Sequence, residues 1–224
     1  MVRKKLRIGV LASGGGTDLQ SIIDASETRM IDAEVAIVLS DKKDAYALER
    51  ARTHRIPAHF VDPQGKTKKE HEKNIDTLLR KHKVDLVVGA GYMRLLTPAF
   101  VKQWKGKLIN IHPALLPSFK GTNGQGDALN YGVKITGCTT HFMDAEMDHG
   151  PIILQAAVLV HDDDTRDTLA ARILEVEHQV LPRTIQLIAE DRVRIIKRKV
   201  RILPGESWRD RYPLHPDVLY CEGY

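Results

Sequence analysis

The sequence predicts an α/β fold in which helices cover both faces of a mostly parallel sheet. Two observations lead to this class. Short apolar runs of strand length alternate with helical patterns through the first half of the 224 residues, and hydrophobic residues make up 42% of the chain, as is usual for globular proteins. Because parallel strands are joined by crossovers that usually contain a helix, this alternation favours a parallel sheet.

The first half of the chain supplies the alternating elements in order. Buried strands are predicted at Leu6–Ala12, Ala33–Leu39, Ala58–Val61, Leu86–Gly91 and Leu108–Ile111. Helices are predicted from the glycine loop to Ala25, over about Ala45–His54, over Lys68–Lys83, and from Pro98, because proline is tolerated in a first helical turn.

The pattern changes in the second half of the chain. Ile135–Phe142 and Ile152–Val160 read as long strands joined only by a loop, so antiparallel pairing is plausible. Thr165–Ala189 carries a continuous apolar stripe and predicts one long helix. The tail from Asp191 predicts two edge strands and a loose end. We expect one domain over residues 1–224, with a core at about 5–190 and a C-terminal extension at 191–224.

Composition narrows the classes of function. The formal net charge of +5 fits anionic small molecules, and the basic runs lack the interleaved aromatic residues and motifs of nucleic-acid binding. The sequence has neither an apolar run of about 18 residues nor a secretory signal, so no membrane partner is expected. Cys138 and Cys221 are far apart and suggest neither a disulfide framework nor a zinc site. A cytoplasmic location is therefore predicted.

A glycine loop, Ser13–Leu19, joins the first strand to the first helix. Glycines allow backbone amides to approach a ligand closely, and a helix N-terminus attracts anions. The loop lacks the Gly-Lys-Ser/Thr of nucleotide-triphosphate sites, and Leu19 stands where a dinucleotide fingerprint requires a small residue. A single phosphate, as on a sugar phosphate, is the favoured ligand, while a plain strand-to-helix turn remains the alternative.

Asn110 and His112 lie at the end of a buried strand, where α/β sheets bind ligands. Alternate strand residues share a face, so an amide and an imidazole are expected to converge there. Such a pair suits acyl-type transfer, because both groups can stabilise a developing oxyanion. Asp144 and Asp148, in a loop before Gly150, could supply a carboxylate for the histidine. A structural histidine and a turn capped by acids remain the alternatives.

Taken together and in this order, six segments resemble the phosphoribosylglycinamide formyltransferase family over nearly the whole chain. They are Ser13–Gln20, Gly91–Leu96, Asn110–Phe119, Gly137–Phe142, Asp148–Ile153 and Glu177-His178. The resemblance implies a Rossmann-like fold of the formyltransferase type. It also implies transfer of the formyl group of 10-formyltetrahydrofolate to the amine of 5'-phosphoribosylglycinamide in de novo purine biosynthesis.

The resemblance also implies roles for particular residues. The implied catalytic set stabilises a tetrahedral intermediate through Asn110 and His112, with Asp148 raising the pKa of His112. The implied substrate contacts are Gly16, Thr17 and Asp18 at the phosphate and Glu177 at the glycinamide. The implied folate contacts are Lys68, Met93, Arg94, Leu95, Leu96 and Asn110. The folate acts as a diffusible cosubstrate, no metal is implied, and the partners are two small molecules, with a monomer or a homodimer as the assembly.

The sequence departs from the family pattern in three places. Gly15 and Asp18 replace asparagines of the glycine loop, and a carboxylate at Asp18 is unfavourable beside a phosphate unless it caps the helix. Gly121–Gln125 stands where a histidine-bearing segment is usual, and Lys68 stands where an arginine can pair with a carboxylate through two hydrogen bonds.

Three other functions fit parts of the same pattern. A methionyl-tRNA formyltransferase would need a further C-terminal domain, and about thirty residues after the long helix are too few for one. A formyltetrahydrofolate hydrolase would carry a regulatory domain before the first strand. A sugar-phosphate sensor would bind phosphoribosylglycinamide without turnover.

Overall fold

The computed structural model describes residues 4–205 and 218–221. The helices are α1 (Thr17–Glu27), α2 (Tyr46–Thr53), α3 (Lys68–Lys81), α4 (Pro98–Gln103), α5 (Gly124–Tyr131) and α6 (Arg166–Ala189). The strands are β1 (Leu6–Leu11), β2 (Ala33–Ser40), β3 (Ala58–Phe60), β4 (Leu86–Gly89), β5 (Leu108–His112), β6 (Ile135–Phe142), β7 (Ile152–Leu159), β8 (Val193–Ile196), β9 (Lys199–Ile202) and β10 (Leu219–Tyr220). The predicted α/β class is confirmed.

The chain divides into two compact units, Met1–Asn110 and Ile111–Tyr224, with β5 contributing residues to both. In the first unit the strand order is β5-β4-β1-β2-β3, and each of these neighbours pairs in parallel. Ile8, Val10 and Val38 are fully buried in its core. The loops that follow β1 and β4 leave the carboxyl ends of adjacent parallel strands, which is the edge where such sheets bind ligands.

In the second unit the strand order is β5-β6-β7-β10. β6 and β7 pair antiparallel, as the long strands predicted, and β10 adds to β7 in the antiparallel sense. Helix α6 begins after Thr165, whose side chain accepts a hydrogen bond from the Thr168 amide and caps the helix. Its apolar stripe, which includes Leu169 and Ile173, is fully buried. The antiparallel pair fixes the loop that carries the candidate carboxylate.

Two predictions for the second half of the chain need correction, and one helix lies where no element was predicted. The two predicted edge strands, β8 and β9, pair with each other in a separate two-stranded sheet, because Lys197 takes a left-handed φ of 56° and turns the chain back on itself. Helix α5 was not predicted, because Gly124 and Gly126 lower the intrinsic helix propensity of its sequence. Part of the predicted loose end, Leu219–Tyr220, is strand β10, and the rest of that tail lies outside the described residues.

The single-domain organisation remains a prediction. Among the described residues, no helix combines the length and the apolar character that a membrane crossing requires.

Candidate active site

The glycine loop follows β1 and places Gly16 at the N-cap of α1 with a left-handed φ of 70°. Gly16 has no side chain with which to cap the helix, and the positive end of the helix dipole lies at this loop. A Cβ atom on Gly16 would lie 2.7 Å from the Cβ of Ala47, whereas one on Gly15 would have no described atom within 4 Å. Gly16 is therefore required by the backbone, and Gly15 is not.

Asp18 lies in the first turn of α1, beside the proposed phosphate position. Burial raises the pKa of Asp18 to about 7. The carboxyl is then largely neutral below neutral pH, which removes much of the repulsion that a charged carboxylate would exert on a phosphate. Burial therefore lowers the electrostatic cost of having an aspartate at this position of the loop.

Ser13 connects the glycine loop to the segment predicted to line the folate pocket, and sequence reasoning missed this role. Its hydroxyl donates to Oδ1 of Asp41 over 2.6 Å and accepts a hydrogen bond of 2.8 Å from the amide of Met93. Its own amide donates to the carbonyl of Gly91 over 3.0 Å. Because the hydroxyl serves both partners, the two loops share one anchoring atom.

Four of the predicted folate residues come together in the first unit. The residues lining a common cleft are Lys68, Arg94, Leu95 and Leu96, with His71, Glu72 and Tyr92. The cleft has a volume of about 10 Å³, which is far below the space that a drug-sized ligand occupies. Met93 does not line the cleft and is 62% exposed. The structure therefore groups these residues without forming a pocket for a pterin ring.

His112 ends β5, with 4% of its side chain exposed. Its Nε2 atom donates to the carbonyl oxygen of Phe119 over 2.8 Å, because a carbonyl can only accept. Its Nδ1 atom lies 3.5 Å from Oδ2 of Asp148. The structure thus brings together the histidine and one of the two candidate carboxylates, from segments that the sequence separates widely.

Asp148 is oriented by a backbone hydrogen bond to one of its carboxylate oxygens. Oδ2, which faces His112, also accepts a hydrogen bond of 2.9 Å from the amide of Gly121. Oδ1 lies 3.7 Å from Nε2 of His141. Gly121 has a φ of 101°, a conformation that favours glycine, so its amide is placed by a backbone shape that other residues rarely adopt. Neither Gly121 nor His141 was predicted to contact the carboxylate.

His141 does not compete with His112 as the cationic partner of Asp148. Burial is the largest influence on His141 and lowers its pKa, so the ring is neutral at neutral pH. Its Nδ1 atom donates to the Phe142 carbonyl over 3.0 Å, which leaves Nε2 without a proton toward the carboxylate. His112 is the histidine whose Nδ1 faces Oδ2 of Asp148, while its Nε2 donates to the Phe119 carbonyl.

The other predicted residues lie in separate surroundings. Asn110 is partly buried near the end of β5, and Gly89 leaves room for its amide, since a Cβ there would lie 2.7 Å from Oδ1 of Asn110. Glu177 is 5% exposed on α6. Asp144 bonds within its own loop, accepting from the Glu146 amide and from His149. Among the described residues, no group of three or more His, Cys, Asp or Glu is arranged to hold a metal ion.

Comparison with known proteins identifies the family of this chain. The sequence profile described as formyl transferase matches residues 6–185. The phosphoribosylglycinamide formyltransferase of Haemophilus influenzae is 41% identical over 90% of this chain and 95% of its own length. The chain belongs to the phosphoribosylglycinamide formyltransferase family. A crystal structure of glycinamide ribonucleotide transformylase 1 from Symbiobacterium toebii is similar, with a TM-score of 0.88 and 46% identity over 90% of this chain and 95% of that one.

Larger relatives contain a similar segment. The human trifunctional purine biosynthetic protein adenosine-3 is 42% identical over 86% of this chain, but the chain spans only 19% of that protein's length. The predicted family is thus confirmed, while the roles of individual residues remain predictions.

Proposed function

We propose that this chain transfers the formyl group of 10-formyltetrahydrofolate to the amine of 5'-phosphoribosylglycinamide in de novo purine biosynthesis. The observation that carries the proposal is the buried pair of His112 and Asp148, in which Nδ1 of the histidine faces the carboxylate at 3.5 Å. An acyl transfer needs a group that stabilises negative charge on the carbonyl oxygen, and a carboxylate-supported imidazolium is such a group. Membership of the formyltransferase family supports the same reaction.

The phosphate of the substrate would bind at the N-terminus of α1. The amides that open this helix and the hydroxyl of Thr17 would donate to phosphate oxygens, while Gly16 lets the backbone turn. The neutral form of Asp18 would donate a further hydrogen bond instead of repelling the anion. The buried carboxylate of Glu177 would hold the glycinamide amine.

His112 and Asn110 would act on the formyl oxygen. The amide of Asn110 would donate to this oxygen, and His112 would present its Nε2 proton, which the Phe119 carbonyl accepts in this structure. The substrate amine would attack the formyl carbon, giving a tetrahedral intermediate whose oxygen these two donors stabilise. Asp148 would hold His112 as the imidazolium through this step. The bond from carbon to N10 of the folate then breaks, and the proton lost by the amine returns to N10.

Binding of the folate would require the cleft beside Lys68 to widen. Lys68 and Arg94 offer cations for the acidic end of the folate, and the exposed side chains of Met93 and Leu95 offer apolar surface for its ring. The cosubstrate would bind by contacts to these side chains, and the proposed reaction requires no metal ion.

A two-substrate assay tests the proposal. We expect the absorbance change of 10-formyltetrahydrofolate consumption only when phosphoribosylglycinamide is also present. Formate released without the amine substrate would identify a hydrolase. Binding of phosphoribosylglycinamide without turnover would identify a sensor. Either result would overturn the proposed transfer.

A further inference from the structure

The β8–β9 hairpin lies beyond residues 6–185, the part of the chain that the formyl transferase profile matches. Its turn carries Arg198, whose Nη1 atom lies 3.1 Å from Nε2 of His149. Nη1 also lies 3.4 Å from Nδ1 of the same ring, so the guanidinium packs over the face of the imidazole. Nδ1 itself lies 2.7 Å from Oδ2 of Asp144. The hairpin is therefore joined through His149 to the loop that contains Asp148.

Two neighbours hold the ring of His149. Nδ1 donates a hydrogen bond to the carboxylate of Asp144, which can only accept. The guanidinium of Arg198 packs against the ring, with Nη1 3.4 Å from Nδ1 and 3.1 Å from Nε2. Asp144 also accepts from the Glu146 amide over 2.9 Å. Arg198 and Asp144 thus restrain the imidazole together, and Asp144 ties it to the backbone of its own loop.

Asp148 needs such support because of its backbone. It has a left-handed φ of 49°, which is uncommon for a residue other than glycine and persists where the surroundings enforce it. On its C-terminal side, Gly150 packs so closely that a Cβ there would lie 1.8 Å from the carbonyl oxygen of Phe142. His149 is the residue between these two constrained positions.

We propose that Arg198 is a positioning residue for Asp148. By bracing the ring of His149, the hairpin turn holds the left-handed backbone that aims the Asp148 carboxylate at His112. The inference rests on the proposed role of Asp148 in formyl transfer. It assigns to the C-terminal hairpin a part in the reaction, although the hairpin supplies no group that touches the substrates.

The test compares Arg198→Ala with two other variants of the same turn in the full-length chain. Arg198→Lys keeps a cationic donor, and Lys199→Ala removes an equal charge from the neighbouring position. Losing the packing of this guanidinium on the ring is expected to lower kcat by roughly 3- to 10-fold. The KM values for both substrates and the thermal midpoint should stay near those of the unchanged protein. Arg198→Lys should recover part of the lost rate, and Lys199→Ala should lose little.

A double-variant cycle separates positioning of Asp148 from a general effect on folding. In an Asp148→Asn background, adding Arg198→Ala should cause no further fall in kcat, because both changes act through the same carboxylate. Equal losses in the two backgrounds, or unchanged kcat in Arg198→Ala, would overturn the inference. An active unchanged protein with strongly lowered but measurable kcat in Asp148→Asn would leave the proposed function standing in either case. An inactive unchanged protein would count against the function itself.

Discussion

The glycine loop after β1 and the cluster around Asp148 achieve their shapes in different ways. The shape of the loop depends on the backbone, because Gly16 supplies a left-handed turn and a close approach to Ala47. The groups proposed to bind the phosphate are mainly backbone amides. The cluster depends on side chains, since His112, Asp148 and the Gly121 amide come from three separate stretches of the second unit.

This difference predicts which substitutions each region tolerates. A site formed by the backbone loses its shape when the substituted residue cannot adopt the turn, whatever the chemistry of the new side chain. A side-chain site fails when one polar group is removed, although the backbone is unaltered. Substitutions in the loop should therefore affect stability and substrate affinity together, whereas substitutions in the cluster should affect turnover alone.

The largest expected effect comes from removing the imidazole of the cluster. His112→Ala should lower kcat by about 10²- to 10⁴-fold, the usual contribution of a positioned acid or base. The affinity for phosphoribosylglycinamide, measured by calorimetry, should change little because the phosphate binds elsewhere. The exposed His161→Ala serves as a control and should keep full activity. A His112→Ala protein that loses affinity and rate in equal measure would contradict the division between the two regions.

A smaller effect is expected at the glycine loop. Gly16→Ala should lower the free energy of unfolding by about 1–3 kcal/mol, because it adds left-handed strain and crowds Ala47. Gly15→Ala, which meets open space, should change it by about 0.5 kcal/mol or less. Chemical denaturation measures both, and calorimetry with phosphoribosylglycinamide should show weaker binding only for Gly16→Ala. Equal destabilisation by the two variants would show that the left-handed turn at Gly16 does not control the loop.

These two regions also differ in how far the sequence could predict them. The loop was predicted because glycines directly after a buried strand are typical of a turn, although its contacts with Asp41, Ala47 and Met93 are long-range. The strand end at His112 was predicted because a buried apolar run ends there and Pro113 follows. The contacts of Asp148 with Gly121 and His141 are long-range, and no local pattern encodes them. Sequence reasoning left Asp144 and Asp148 open, and the fold distinguishes them because only Asp148 faces His112.

Two elements that the sequence did not predict have equally physical explanations. The segment Gly124–Tyr131 contains two glycines in its first turn, so its intrinsic propensity is poor, yet it forms α5 with Gly132 closing the helix in a left-handed conformation. Strand β10 consists of only two residues and is defined by its pairing with Ala156 and Ala157 of β7, which periodicity cannot reveal.

The smallest expected effect concerns Asp18 and pH. Because its pKa is raised to about 7, the carboxyl is neutral below that pH and charged above it. The KM for phosphoribosylglycinamide should therefore rise severalfold between about pH 6 and pH 8, since two charges near 4 Å apart repel by about 1 kcal/mol in water. Asp18→Asn cannot ionise and should show a smaller rise. Identical pH dependence in both proteins would mean that Asp18 does not face the phosphate.

The central claim is that Asp148 supports His112 in formyl transfer, and the turnover of Asp148→Asn beside Asp144→Asn tests it most directly. Both variants remove one charge from the same loop, but only Asp148 faces His112. With both substrates saturating, Asp148→Asn should lower kcat by about 10²-fold or more while phosphoribosylglycinamide still binds, and Asp144→Asn should stay within about 10-fold of the unchanged protein. A fully active Asp148→Asn protein, or equal losses in the two variants, would contradict the account.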